Sequence, residues 1–172
     1  MRGLNGLVCR GCWVALLAAA LSLAACDVKN ISELEEGVST EADVRERFGA
    51  PEAVWDGEDG AQIYEYNRQP AGHVNYMITI GPDGRMAALR QVLTERNFAQ
   101  VKPGMAMEEV RRMLGKPMKV TTYDLKRETH YDWRYLDGVN QSDSKVFTAV
   151  FDTDLRVIST MSVPDPDLDR NR

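Results

Sequence analysis

One segment of the sequence occurs twice, and this repeat restricts the possible folds more than any other feature. Residues 44–51 read VRERFGAP, and 66 positions later residues 110–117 read VRRMLGKP. Flanking positions match in the same order at offsets of 67 and 71 residues: Ile31, Leu34 and Gly37 with Phe98, Val101 and Gly104, and residues 80–86 with 151–157. Such self-similarity indicates one supersecondary unit used twice, with copies that pack together to complete a core.

Each copy has the pattern of two helices followed by three strands. Apolar residues three positions apart, Ile31 with Leu34 and Phe98 with Val101, predict a short first helix. The repeated segment predicts a second helix. Three β-rich runs follow, at 63–67, 74–80 and 86–93 in one copy and at 131–136, 146–151 and 157–163 in the other. We therefore expect an α+β fold of two tandem helix-helix-three-stranded antiparallel sheet repeats, residues 26–93 and 94–163, with a disordered, solvated tail over 164–172.

The helix ends carry recognisable signals. Thr94 is a plausible N-cap of the first helix in copy two, and residues 40–43 (TEAD) form a capping-box pattern. The corresponding cap in copy two is Ala106, which offers no side-chain oxygen, so we expect that helix start to fray. Gly49 and Gly115 fit the left-handed position that follows a helix.

The N-terminus has the layout of a secretory signal. Arg2 and Arg10 precede an apolar run at 12–23, which is shorter than the roughly 20 residues that a membrane-spanning helix needs. Residues 23–26 read LAAC, which resembles the bacterial lipobox. The resemblance implies removal of residues 1–25, a diacylglycerol and an N-acyl chain on Cys26, and a permanent membrane anchor. Asp27 resembles an inner-membrane retention signal of enteric bacteria, so the choice of membrane stays open.

Charge and cysteine content exclude several classes of function. Cys9 and Cys12 lie within the predicted signal, and the lipid occupies Cys26, so we expect no disulfide. The mature chain has 19 basic and 26 acidic residues, a net charge of about −7 with neutral histidines. This charge argues against nucleic acid as a partner and against adsorption to anionic headgroups.

No residue set in the sequence indicates catalysis or metal binding. His130 and Asp132 lie two apart on a predicted strand, but no activated nucleophile accompanies them, and His73 is assigned to a loop. The segment 152–154 (DTD) lacks the other ligands of a calcium loop and fits a hairpin turn. An acidic patch at Glu33, Glu35 and Glu36 fits a solvated helix face. We expect no enzyme activity, metal, other cofactor or small-molecule substrate.

Aromatic residues alternate along the first strand of each copy. Tyr131, Trp133 and Tyr135 share one face in copy two, as Tyr64 and Tyr66 do in copy one. These rings either pack under the helices as core or line an exposed sheet as partner-binding anchors. The polar opposite face, which includes His130 and Asp132, favours the core interpretation.

Copy two resembles the SmpA/OmlA family of BamE-like lipoproteins, which serve outer-membrane assembly. The matching positions lie in residues 101–105, 110, 114–117 and 133–135; the fold motif within them is Gly104, Met105, Val110, Leu114, Gly115, Pro117, Trp133 and Tyr135. The tandem arrangement is similar to secreted β-lactamase inhibitor proteins. The resemblance implies a helix-helix-sheet fold and a periplasmic, non-catalytic lipoprotein, more often at the outer membrane than the inner one.

Two functions follow as hypotheses. The leading hypothesis is an accessory scaffold that binds proteins of the β-barrel assembly machine. The alternative is a lipid-tethered inhibitor or regulator of a penicillin-recognising or cell-wall enzyme.

Overall fold

Each copy of the repeat folds into helices and one antiparallel sheet in a computed structural model that describes residues 30–137 and 143–167. The first copy contains a helical segment at 30–32, α1 (Glu41–Phe48), β1 (Ala53–Asp56), a 3-10 turn (Glu58–Gly60), β2 (Gln62–Asn67), β3 (Asn75–Ile80) and β4 (Met86–Gln91). The second contains α2 (Glu95–Phe98), α3 (Met107–Leu114), β5 (Lys119–Tyr123), β6 (Glu128–Asp137), β7 (Asp143–Phe151) and β8 (Val157–Pro164). The fold is α+β.

Each sheet has four strands, so the expectation of three-stranded sheets is wrong. The strand orders are β1-β2-β3-β4 in sheet 1 and β5-β6-β7-β8 in sheet 2. The strands that sequence analysis missed, β1 and β5, pair antiparallel with β2 and β6. The β1 run is only four residues long and is bounded by Pro51 and Gly57, and β5 is mostly polar and exposed. Neither has the apolar alternation that marks a strand.

Capping contacts hold the helix starts. Thr40 and Asp43 form the predicted capping box, and the Thr94 side chain accepts from Asn97 N. The expectation that α3 frays at Ala106 is wrong, because the carboxylate of Glu109 accepts from Ala106 N at 2.6 Å and Met107 N donates to Leu155 O at 3.0 Å. One local contact and one tertiary contact therefore hold this helix start without an N-cap oxygen.

Gly49 and Gly115 end their helices in a conformation other than the left-handed helical one. Their φ values are 82° and 76°, as predicted, but their ψ values are −161° and −170°. This combination of positive φ and extended ψ is essentially restricted to glycine.

The two copies stack as alternating layers. α1 covers one face of sheet 1, where Val44, Phe48, Tyr64, Tyr66 and Ile78 form a buried cluster. The other face of sheet 1 contributes Met77 and Ile63 to the core of the second copy, which also includes Val110, Leu114 and Trp133. Val92 and Leu93, predicted to end the third strand, follow β4 and pack in this second core. The order of layers is therefore α1, sheet 1, α2 with α3, and sheet 2.

Several predictions concern residues at the ends of the chain. The signal at 1–25, Cys26, Asp27 and residues 168–172 lie outside the described residues. The predicted solvated tail is wrong at Pro164, which belongs to β8, and at Asp165, which is buried beside Arg134; residues 166 and 167 are exposed. Within 30–137 and 143–167, no helix is long and apolar enough to cross a membrane.

Candidate functional site

The strand aromatics pack in the core. Trp133, Tyr135, Tyr64 and Tyr66 have at most 2% of their surface exposed, and Tyr131 is partly buried against the second core. Phe98 lies 4.7 Å from Tyr135 between ring centroids, in an edge contact. The interpretation of these residues as exposed partner-binding anchors is wrong for the four buried rings, because the helices of each copy cover this face.

Two of these rings donate hydrogen bonds to backbone carbonyl oxygens at helix ends. Trp133 Nε1 donates to Gly115 O at 3.0 Å, and the Tyr66 hydroxyl donates to the equivalent Gly49 O at 3.1 Å. Burial raises the pKa of Tyr66 to about 12, so the hydroxyl keeps its proton at neutral pH. A polar tip on a large apolar ring suits this position, because it fills the core and pairs an otherwise orphaned helix carbonyl.

The other fold-motif residues shape the entry to α3 and its packing. Gly104 has a φ of 89°, and its N–H donates to Val157 O at 2.8 Å; Val157 N in turn donates to Met105 O at 2.9 Å. Val110 and Leu114 are fully buried, and Pro117 is partly exposed. The motif residues thus determine how α3 packs on sheet 2.

A buried polar contact, which we call the seam, joins the two copies. It consists of Glu65 and Asn75 on sheet 1 and the end of α3 at 114–116. Glu65 is fully buried; its Oε1 accepts from Lys116 N at 2.7 Å, and its Oε2 lies 3.5 Å from Arg111 Nη2. Asn75 Nδ2 donates to Leu114 O at 2.8 Å and to Lys116 O at 3.1 Å. Sheet 1 therefore caps a helix of the other copy.

A second polar contact joins the β2–β3 loop to sheet 2. The side-chain amide of Gln69 donates to Arg134 O at 2.7 Å and accepts from Arg134 N at 3.2 Å. It thereby pairs backbone groups of β6 that lie beyond the first residue of β5. His73 Nε2 lies 3.0 Å from Ser144 Oγ, and the Ser144 hydroxyl donates to Asp165 Oδ2 at 2.9 Å. Burial, reinforced by the positive charge of Arg134, lowers the pKa of His73, although Asp165 opposes the shift.

An open groove lies beside the seam, and we call it the Trp55 groove. Its volume is about 550 Å³, and it is lined by Trp55, Asp56, Glu58, Ile63 and Thr79 of copy one and Arg112 of copy two. The Arg112 guanidinium lies 5.4 Å from the centre of the Trp55 ring. Trp55 Nε1 donates to the buried Glu65 at 3.3 Å, so the seam fixes the indole in place.

The residues considered for chemistry have separate partners. His130 Nε2 lies 3.2 Å from Glu128 Oε2, whereas Asp132 accepts from Thr148 Oγ1 at 2.6 Å. Ser144 and His73 are close enough for a nucleophile and base, but the Ser144 proton is directed to Asp165 and the side chain is buried.

The acidic segments also pair locally. Asp152 Oδ1 accepts from Asp154 N and Arg156 N, as in a hairpin turn. Glu33 and Glu36 pair with Arg47 and Arg90. Among the described residues, no group of three or more His, Cys, Asp or Glu side chains could hold a metal ion.

No motif or periodicity in the sequence marks Trp55, Glu65, Asn75 or Arg112 as special. Alignment of the copies contained one usable signal. The β1 register pairs Trp55 with Ile63, and the β5 register pairs the equivalent Thr121 with His130. A tryptophan in copy one therefore stands where copy two has a small polar residue, which indicates a special role for that face in copy one.

Comparisons with known proteins agree with the family resemblance. Residues 91–161 match the family model described as the outer membrane protein assembly factor BamE domain. Two solved structures are similar at low identity. A DUF4309 family protein from Bacillus subtilis is 22% identical, with 77% of this chain and 83% of that chain covered and a TM-score of 0.29. A β-lactamase inhibitor-like protein from Streptococcus mutans is 9% identical, with 80% and 94% covered and a TM-score of 0.32.

These scores are too low to support a shared function, so the inhibitor alternative stays a prediction. No curated protein matches the chain.

Proposed function

We propose, from the match of residues 91–161 to the BamE domain model, that the chain is a non-enzymatic accessory protein of outer-membrane assembly. It acts by binding proteins of the β-barrel assembly machine on the periplasmic side of the envelope. The family match is the observation that carries this proposal. The polar contacts between the copies support a scaffold role, because they present one stable surface built from both.

Lipidation of Cys26 is part of this proposal. Two or three acyl chains hold a protein on a membrane far more firmly than a single chain does. We place the anchor in the outer membrane, and Asp27, which resembles an inner-membrane retention signal, is the position at which this placement is tested. Fractionation of membranes from cells with Asp27→Ser tests the sorting role, and mass spectrometry of the N-terminal peptide tests acylation of Cys26.

The Trp55 groove is the surface that we assign to the protein partner. Tryptophan and arginine are enriched among residues that dominate binding energy, and here they lie face to face between the two copies. Asp56 and Glu58, two acidic residues, also line this groove. A partner segment with an apolar side chain for the indole and charges for these groups fits this groove.

Co-purification tests the function. The acylated full-length protein is extracted in mild detergent, and the proteins that accompany it are identified by mass spectrometry. We expect components of the β-barrel assembly machine in every preparation. Their reproducible absence would refute the proposed function.

Matched variants test the groove. Trp55→Ala and Arg112→Glu should each reduce recovery of the partner by about tenfold, as for a central interface residue. Val54→Ala is the control for Trp55, because Val54 is 46% exposed and is the adjacent residue of β1. Arg96→Glu repeats the charge reversal on the exposed side of α2. Equal loss in controls and groove variants would show that the groove is not the partner site.

A further inference from the structure

β8 is an edge strand without charged residues. It reads VISTMSVP, whereas the other three edge strands carry a charge at Asp56 in β1, Arg90 in β4 and Lys119 in β5. The edge of β4 is also covered, because Leu89 N donates to the carboxylate of Glu36 at 2.9 Å. Proteins usually protect sheet edges with charges, short strands or covering side chains. The outer edge of β8 is covered at Val157, which exchanges hydrogen bonds with Gly104 and Met105, and the strand ends at Pro164; the residues between them, 158–163, lack this protection.

The free edge of β8 presents backbone hydrogen-bonding groups at two residues. Asp165 N donates to Ser144 O on β7, and in an antiparallel ladder such pairs alternate along the strand. Met161 and Val163 are therefore the residues bonded to β7, and the N–H and C=O of Thr160 and Ser162 point away from it. In the described part of the chain, no strand lies beyond β8.

The two faces of β8 differ in polarity. Met161 and Val163 share the face away from the helices and are 45% and 41% exposed. Thr160 and Ser162 lie on the opposite face, paired with the core residues Ala149 and Phe147. Apolar and polar side chains therefore alternate along β8, and the residues whose backbone groups point to the free edge are the polar ones.

A cleft adjoins the polar face of β8. It has a volume of about 280 Å³ and lies between α2 and β8, with Phe98, Tyr135 and Phe147 as its floor and Glu95 at its side. A strand added to β8 would direct every second side chain towards this cleft. An edge strand with an adjacent cleft meets the two requirements of strand addition, namely main-chain bonds for affinity and a pocket for specificity.

We propose that β8 binds an extended, uncharged segment of another protein as a fifth strand of sheet 2, and that this segment is a strand of an unassembled outer-membrane β-barrel. Barrel strands alternate apolar and polar residues and carry aromatic residues near their ends. This alternation matches the two faces of β8, and a side chain of the added strand fits the cleft beside Thr160 and Ser162. The identity of the segment rests on the proposed function.

Binding of a synthetic strand by the full-length protein tests this inference. The probe is a fluorescein-labelled peptide of about ten residues of alternating valine and threonine, with one phenylalanine on the threonine side. Fluorescence anisotropy should give saturable binding. The same peptide with N-methyl groups on the amides that face β8 should bind at least about tenfold more weakly, because it cannot donate to Thr160 and Ser162.

Protein variants locate the site. Thr160→Pro removes an N–H that faces away from β7, so the sheet keeps its internal bonds while the edge loses a donor. Thr160→Lys leaves the backbone intact and adds a protecting charge. Both should weaken peptide binding by about tenfold or more. Thr122→Lys makes the same change on the exposed edge strand β5 and should bind as wild type does.

The outcomes separate this inference from the function proposed above. No saturable binding by the wild type, or equal binding by Thr160→Pro, Thr160→Lys and wild type, would overturn the edge site. Sedimentation that shows a dimer abolished by Thr160→Lys would assign the edge to a second copy and likewise overturn it. Co-purification of assembly proteins tests the proposed function separately. If these proteins do not co-purify with the wild type, the proposed function is refuted, whereas the peptide-binding result alone decides whether β8 is a binding site.

Discussion

Gly115 combines a backbone conformation reserved for glycine with a close contact across the seam. A Cβ atom there would lie 3.0 Å from Asn75 Nδ2 and 3.3 Å from Glu65 Oε1. Gly49 has nearly the same φ and ψ, but a Cβ atom there would have no neighbour within 4 Å. We expect Gly49→Ala to lower the free energy of unfolding by about 1–2 kcal/mol, and Gly115→Ala by about 1 kcal/mol more. Urea unfolding followed by circular dichroism measures both, and equal losses would contradict the contact.

Glu65 holds the seam through its charge and its position. Its removal in Glu65→Ala leaves the N–H of Lys116 without its acceptor and Arg111 without its counter-ion. We expect a loss of about 2–4 kcal/mol in the free energy of unfolding. The equivalent residue of copy two, Asp132, is partly exposed and accepts from Thr148, so Asp132→Ala should cost only about 1 kcal/mol. Urea unfolding of both variants tests this expectation: a loss for Asp132→Ala as large as that for Glu65→Ala would contradict it.

The β2–β3 loop makes stability depend on pH through His73. Because burial and Arg134 lower the pKa of His73 in the folded state, the unfolded chain binds a proton more readily near pH 6.5. The contribution of neutral His73 is complete above that pH and is lost as pH falls through the lower folded pKa. We therefore expect wild type to lose more stability than His73→Gln between about pH 7 and 5. Parallel stability curves for the two proteins would contradict this expectation.

The elements show what sequence patterns can and cannot reveal. The repeat, the helices and the hairpins follow from local periodicity and caps, and the structure contains them. β1 and β5 could not be predicted because short or polar edge strands lack the alternation of apolar and polar residues that marks a strand. The role of Glu65 and Asn75 could not be predicted for a different reason: both bind the end of α3, which is 39 or more residues away in the sequence. No local pattern encodes such a contact, and a polar residue on a strand usually indicates a solvated face.

At the scale of the molecule, the stacked layers make the first copy depend on the second. Sheet 1 buries Met77 and Ile63 against the second core, and the seam buries Glu65 and Asn75. We expect one cooperative unfolding transition, with the amides of β3 and β7 sharing one free energy of hydrogen exchange. A fragment that ends at residue 93 should fail to unfold cooperatively because this face loses its cover. Two separate transitions in the full chain would contradict the dependence.

Together with the proposed lipid anchor, the order of the layers limits the distances from the membrane. Asn30 Nδ2 donates to Arg47 O at 2.8 Å, so the described body begins four residues after Cys26. Four residues span at most about 14 Å, which makes the proposed lipid tether short. If the layers stack away from the bilayer from α1 outward, three further layers spaced by about 10 Å place sheet 2 on the order of 30 Å beyond α1. With the proposed anchor, such a short tether would keep the partner-binding surface within a limited distance of the bilayer.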